Sequence, residues 1–151
     1  MSETSGGAVF KSIYEVSKLL KREFEEQSRA HGLSLPQWRV IHQLAQVDGV
    51  SQVSLAASID VTPMTMSGII ERLEARGLVE RVADPGDSRA KLVRSTAQSR
   101  AMAAEGFAIR NVILENALAG FSDAERIALR ELLQRVQSNL SAQSAETKES
   151  A

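Results

Sequence analysis

VTPMTMSGIIERLEARGLVERVADPGDSRAKLV, residues 61–93, packs a helix start, a helix stop and a two-armed segment into 33 positions. Thr62 can cap a helix through its hydroxyl. Pro63 suits the first helical position, where a missing N–H loses nothing and a fixed φ is already helical. Met66, Ile69, Ile70 and Leu73 recur at spacings of three and four, which predicts one buried face. Thr62, Met64, Thr65 and Gly68 crowd the other side near the N-terminus, and Gly77 ends the helix at the position that favours a left-handed residue. Leu78 to Ala83 and Lys91 to Arg94 are short, partly β-branched runs flanking Asp84-Pro85-Gly86-Asp87-Ser88. That pattern predicts a β-hairpin with a long tip.

Upstream, Phe10, Ile13, Tyr14, Leu20 and Phe24 give a first helix over residues 10–30, stopped by His31-Gly32. Ser34-Leu35-Pro36-Gln37 has capping-box spacing and opens a second helix bearing Trp38, Ile41, Leu44 and Ala45 on one face. Ser51 can cap a short helix through Ile59, and Asp60-Val61 is the turn before the quoted stretch. Downstream, Ser95 with Gln98 offers another capping box, opening an alanine-rich helix to about Ala119. Ser122 with Glu125 opens the last helix, striped by Leu129, Leu132, Leu133, Val136 and Leu140. Residues 1–9 are expected to be flexible, and the polar tail 141–151 to be disordered.

Two short helices joined by a tight turn and followed by a hairpin form a helix-turn-helix with a wing. The second helix would enter a major groove with its N-terminal turn leading. Pro63, Met64, Thr65 and Gly68 then lie nearest base edges: Thr65 can donate or accept, and Met64 can meet a thymine methyl. The free N–H groups of the first turn favour a phosphate. Arg89, just past the hairpin tip, can reach a minor groove. Asp87 can hold the loop by accepting backbone N–H groups, or pair with the arginine. Arg81 and Lys91 on the arms suit phosphates. Arg72 and Arg76 suit either phosphates or the carboxylates of Glu71, Glu74 and Glu80. Ser51, Gln52, Thr62 and Ser67 complete the expected DNA-facing set.

Composition sets limits on this reading. With 43% hydrophobic and 25% charged residues, the 151-residue chain has the make-up of an ordinary globular domain. No window approaches the roughly 18 apolar residues of a membrane span, and MSETSGGAVF lacks the regions of a signal peptide. A cytoplasmic location is expected. The absence of cysteine excludes disulfides, thiolate metal sites and a cysteine-based oxidant sensor. His31 and His42 are the only histidines, and neither joins a cluster with metal-ligand spacing, so no metal and no cofactor are expected. No GxSxG, phosphate loop or histidine-carboxylate motif points to an enzyme. The formal net charge is −1, and residues 62–93 hold five basic side chains against five acidic ones. DNA binding must therefore rest on where the cations stand, and a winged helix that binds protein is the alternative.

With these residues in view, the segment from Leu33 to Thr96 resembles the multiple antibiotic resistance regulator (MarR) family of winged-helix transcription factors. LPQWRVIHQLA, SLAASIDVTPMTMSGIIERLEARGLVER and DPGDSRAKLV carry the likeness. The resemblance implies a mainly α fold with a small β-wing. In it, a winged helix-turn-helix core over about 34–95 is flanked by dimerisation helices over about 10–31 and 96–140, in one domain of residues 10–140. It implies a homodimer, often a repressor, on a pseudo-palindromic operator of double-stranded DNA, frequently released by a small aromatic effector. Arg89 matches the wing-tip arginine and Asp87 its loop-holding aspartate. Gly68 stands where many relatives carry a basic side chain, Ser88 where a second arginine is common, and Ser95 to Arg100 replaces the usual leucine-threonine-to-glycine ending.

Two further expectations come from the residues themselves. The apolar stripes of the first, fifth and sixth helices exceed what so small a core can cover, which calls for a partner copy. Tyr14, Phe24, Trp38 and His42 could line a ligand cleft, although packing within the core accounts for them better.

Overall fold

The computed structural model describes residues 6–149, with side chains as far as residue 143. Helix α1 spans Gly6–Gln27, and a 3-10 turn over Arg29–His31 ends at Gly32, whose φ of 61° is left-handed. Then follow α2 (Leu35–Gln46), β1 (Val50–Ser51), α3 (Gln52–Ile59), α4 (Pro63–Ala75), β2 (Val79–Asp84), β3 (Asp87–Ser95), α5 (Ala97–Ala117) and α6 (Asp123–Glu149). The strands form one antiparallel sheet in the order β1-β3-β2. The architecture is mainly helical with a small β-wing, as the sequence predicts. The brief strand β1, too short to leave a pattern of its own, is an addition.

The caps account for the helix boundaries. Ser34 and Gln37 make a complete capping box at α2, and Ser51 accepts from the Ser54 N–H at α3. At α4, Thr62 Oγ1 accepts from the Thr65 N–H at 3.1 Å with Pro63 in the first turn. At α6, the Ser122 N–H donates to Glu125 at 2.8 Å and the Ser122 hydroxyl accepts from the Glu125 N–H at 3.3 Å. The Ser122 backbone N–H, followed by the Ser122 hydroxyl, holds the Glu125 carboxyl below its ordinary value. Removing the Thr62 cap should weaken the whole domain, since α4 supplies four core residues. Thr62→Ala is expected to lower unfolding free energy by about 1 kcal/mol, read from a urea midpoint.

Several boundaries depart from expectation. The last helix continues to Glu149, so a disordered tail over 141–151 does not hold for the described residues. Extending an existing helix through Ala, Gln, Glu and Lys needs no new nucleus. Likewise Gly6 to Val9 belong to α1 instead of a flexible lead, while residues 1–5 lie outside the described part. The α5 cap is Thr96, whose Oγ1 accepts from the Ser99 N–H at 3.1 Å and donates to the Gly77 carbonyl at 2.8 Å. Ser95, expected in that role, gives its N–H to Asp48 Oδ1 at 2.7 Å. The chain divides into two compact units, one ending at Ile113 and one beginning at Leu114.

The core of the first unit joins α2, α3, α4 and the sheet: Val40, Ile41, Leu44, Leu55, Met66, Ile70, Leu73, Leu78 and Val93 are all essentially sealed from solvent. Asp60, at φ 58°, turns the chain between α3 and α4 and gives its N–H to α3 carbonyls. Asp48 anchors the end of β3 through Ser95 and lies 3.7 Å from the Arg94 guanidinium. Burial, the largest influence on its carboxyl, pushes the pKa up. The Ser95 backbone and hydroxyl, Arg94 and the Gly49 N–H together outweigh burial and hold it below the ordinary range. A depressed folded pKa means that this stabilisation is present above the unfolded value and is lost as pH falls through the folded one. Below about pH 5, wild-type stability should therefore fall more steeply than that of Asp48→Asn, measured as urea midpoints against pH.

Candidate nucleic-acid interface

The exposed side of α4 is built by its own periodicity. With Met66, Ile69, Ile70 and Leu73 committed to the core, Pro63, Met64 and Thr65 project outward in the first turn, and Met64 is 87% exposed. Thr62 Oγ1 also donates to Thr65 Oγ1 at 2.9 Å, leaving the Thr65 proton free to turn outward. Ser67 and Gly68 are half-buried beside them, and a Cβ at Gly68 would meet open space. Val53, in the first turn of α3, is 68% exposed. The sequence reading passed over it, although the positions of Leu55, Ala56 and Ile59 place it on the outer face.

The wing differs from the long-tipped hairpin expected. Asp84 pairs with Asp87, so the tip is only Pro85-Gly86, tied by the Gly86 N–H donating to Asp84 Oδ1 at 2.8 Å. The register then jumps, since Ala83 pairs with Lys91. Ser88, Arg89 and Ala90 thus stand outside the ladder to β2. Within that irregular stretch the Arg89 N–H donates to Asp87 Oδ1 at 2.9 Å, the loop-holding alternative for Asp87.

The basic residues fall into two groups. Arg72, Arg89 and Lys91 are exposed and make no side-chain hydrogen bond or ion pair with the described residues. Arg76 and Arg81 are engaged internally. Arg76 donates to the carbonyls of Gly32 and His31, both at 2.8 Å, which fastens the end of α4 to the turn after α1. Arg81 donates to Gln52 Oε1 at 3.0 Å and to Glu74 Oε2 at 2.9 Å. Gln52 and Arg81, both expected to face DNA, are thus bonded to each other, and the Ser51 hydroxyl bonds to that of Ser54 at 2.9 Å.

Of the expected ligand residues, the structure brings together Phe24 and Trp38, edge to face at 5.6 Å between ring centroids. His31 joins them at 5.4 Å from Trp38, and its Nε2 lies 3.3 Å from Glu105 on α5. No local signal marked His31 for that place, which the left-handed turn at Gly32 and the approach of α5 decide. Tyr14 instead stacks on Phe10 at 6.4 Å, and His42 is exposed on α2. The buried Trp38 Nε1 has no hydrogen-bond partner among the described residues. Those residues contain no group of three side chains fit to hold a metal, and no single helix long and apolar enough to cross a membrane.

A capped, small-residue helix presented beside a β-hairpin defines a winged helix-turn-helix, a class built to lay one helix in a DNA groove. Residues 31–90 match the MarR family model, and the chain belongs to that family of transcriptional regulators, which are non-enzymatic DNA-binding proteins. It is 28% identical to an HTH-type transcriptional repressor of Mycobacterium tuberculosis, over 84% of this chain and 91% of that one. A probable transcriptional regulator from Pseudomonas aeruginosa superposes with a TM-score of 0.72 at 30% identity, covering 89% of this chain and 98% of that one. BpsR of Bordetella bronchiseptica, whose DNA binding is regulated by 6-hydroxynicotinic acid, superposes with a TM-score of 0.73 at 26% identity. That match covers 91% of this chain and 96% of BpsR.

Proposed function

We propose that this chain is a repressor that binds a pseudo-palindromic operator as a homodimer and is released by a small aromatic acid. The observation that carries the reading is the set of unpaired cations Arg72, Arg89 and Lys91 on the same winged unit as the outward face of α4. Pro63, Met64, Thr65, Ser67 and Gly68 meet base edges in the major groove, and the Thr62-capped first turn meets a phosphate. Arg72 and Lys91 take phosphates. Arg89, carried by the bulged stretch that Asp87 pins, enters the minor groove.

A second copy follows from the exposed apolar residues. Helix α1 buries none of its side chains fully and leaves Phe10 70%, Tyr14 58% and Val16 55% exposed. Helix α6, taken by itself, exposes Ile127, Leu132 and Leu133. Such stripes call for cover, and a two-fold dimer would mirror a palindromic site. Sedimentation at micromolar concentration should give a dimer, and a monomer would end this part of the proposal. Binding to the DNA upstream of its own gene, followed by anisotropy at two salt concentrations, should be tight and salt-sensitive. Binding absent even at low salt would count against it.

For the effector, the Phe24–His31–Trp38 cluster offers aromatic edges and a free indole N–H for a carboxylate or carbonyl. Trp38 is the only tryptophan, so its fluorescence reports directly on this cluster. Titration with 6-hydroxynicotinate or salicylate should change that fluorescence and lower DNA affinity together. A panel of aromatic acids that moves neither signal would remove the effector from the proposal.

A further inference from the structure

The arginine on β2 is bonded within the protein. Arg81 lies opposite the fully buried Val93, and its guanidinium joins three elements: Gln52 at the start of α3, Glu74 in the last turn of α4, and the strand itself. Its side chain is 23% exposed, against 40% for that of Glu74. A carboxylate in the last turn of a helix opposes the helix dipole, and in a DNA-binding protein it also repels phosphates. Glu74 therefore carries a cost that its bond to Arg81 offsets. The partners lie 7 and 29 residues away, so the contact fastens the wing to both helices of the helix-turn-helix.

We propose that Arg81, Glu74 and Gln52 form a strut that sets the angle between the wing and the recognition helix α4, and that Arg81 is a positioning residue, not a phosphate contact. The strut acts through Arg89: strands β2 and β3 carry the tip, so freedom at Arg81 becomes displacement at the bulge. Its role in affinity rests on the DNA-binding reading above. The strut itself is a property of the free protein.

The two assignments of Arg81 predict opposite signs. If Arg81 awaited a phosphate, Glu74→Gln would free it and delete a repulsive charge, so binding would tighten. As a strut, Glu74→Gln should weaken operator binding by about two- to tenfold despite the lost negative charge. Arg81→Ala should also weaken binding while leaving the slope of log affinity against log salt unchanged. Loss of a phosphate contact would lower that slope by about 0.9. In the DNA-free protein, hydrogen exchange of wing amides over 79–95 should accelerate in both variants while amides of α2 keep their protection. Tighter binding by Glu74→Gln, a reduced salt slope for Arg81→Ala, or unchanged wing exchange would each overturn the strut. Faster wing exchange in a protein whose wild type binds no DNA would uphold the strut and reject the DNA-binding reading instead.

Discussion

Arg89→Ala is expected to weaken operator binding by about 1–3 kcal/mol, some 5- to 150-fold, and to leave the melting temperature and the oligomeric state unchanged. The separation of the two effects follows from the geometry of the tip. Arg89 contributes its backbone N–H to Asp87, and alanine keeps that bond. Its side chain is exposed and unpaired among the described residues, so the fold loses nothing when it goes. The residue also lies in the unpaired stretch between the Asp84–Asp87 and Ala83–Lys91 pairs, where substitution disturbs no ladder bond. A narrow minor groove concentrates negative potential, and a guanidinium is suited to it because it is weakly hydrated and always charged. Anisotropy titration of both proteins on one operator at one salt concentration measures the difference. Equal affinities would remove Arg89 from the interface and favour a winged helix that binds a protein.

The largest effect on stability is expected at Trp38. Trp38→Ala should cost about 3–5 kcal/mol of unfolding free energy, because it empties a nearly sealed site that few neighbours can refill. Those neighbours are Phe24 and His31 at its edges and Gly106 of α5 against its ring. A Cβ built at Gly106 would stand 2.7 Å from Trp38 Cζ3 and 2.9 Å from Cε3, too close for a rigid indole to yield cheaply. Gly106→Ala should therefore destabilise by about 1–3 kcal/mol even though alanine favours a helix by about 1 kcal/mol. The two substitutions are coupled. In a Trp38→Ala background the added methyl meets a cavity, and Gly106→Ala should become neutral or stabilising. Denaturant unfolding followed by circular dichroism closes the cycle, and simple additivity would show that α5 does not pack on Trp38 as closely as described.

Much of the candidate interface was legible because its signals are local. Thr62, Pro63 and Gly77 bracket α4 by rules that act within one helical turn, and the spacing of Met66, Ile69, Ile70 and Leu73 leaves Met64, Thr65 and Gly68 outside. Asp87 acting on the Arg89 N–H is equally local, a carboxylate reaching two residues ahead. The length of the tip was not legible. Nothing in Asp84 to Ser88 says that Asp84 and Asp87 pair or that three residues then drop out of register, because that depends on the pairing of β2 with the length of β3.

By itself, then, the sequence determined the order of the helices and of the two wing arms, the caps of α2, α3, α4 and α6, the buried face of the recognition helix and the winged-helix class, all set by interactions within a few residues or by simple periodicity. The tertiary structure alone decided which of these basic side chains are free. Arg72, Arg76, Arg81, Arg89 and Lys91 look alike along the chain. Arg76 finds carbonyls 44 and 45 residues away, and Arg81 finds partners 7 and 29 residues away. A cation's availability depends on every polar group that folding brings within 3 Å or so of it, and no short-range rule encodes that. The same holds for His31 against Trp38 and for Gly106 beneath the indole, contacts that exist only once α2 and α5 have packed.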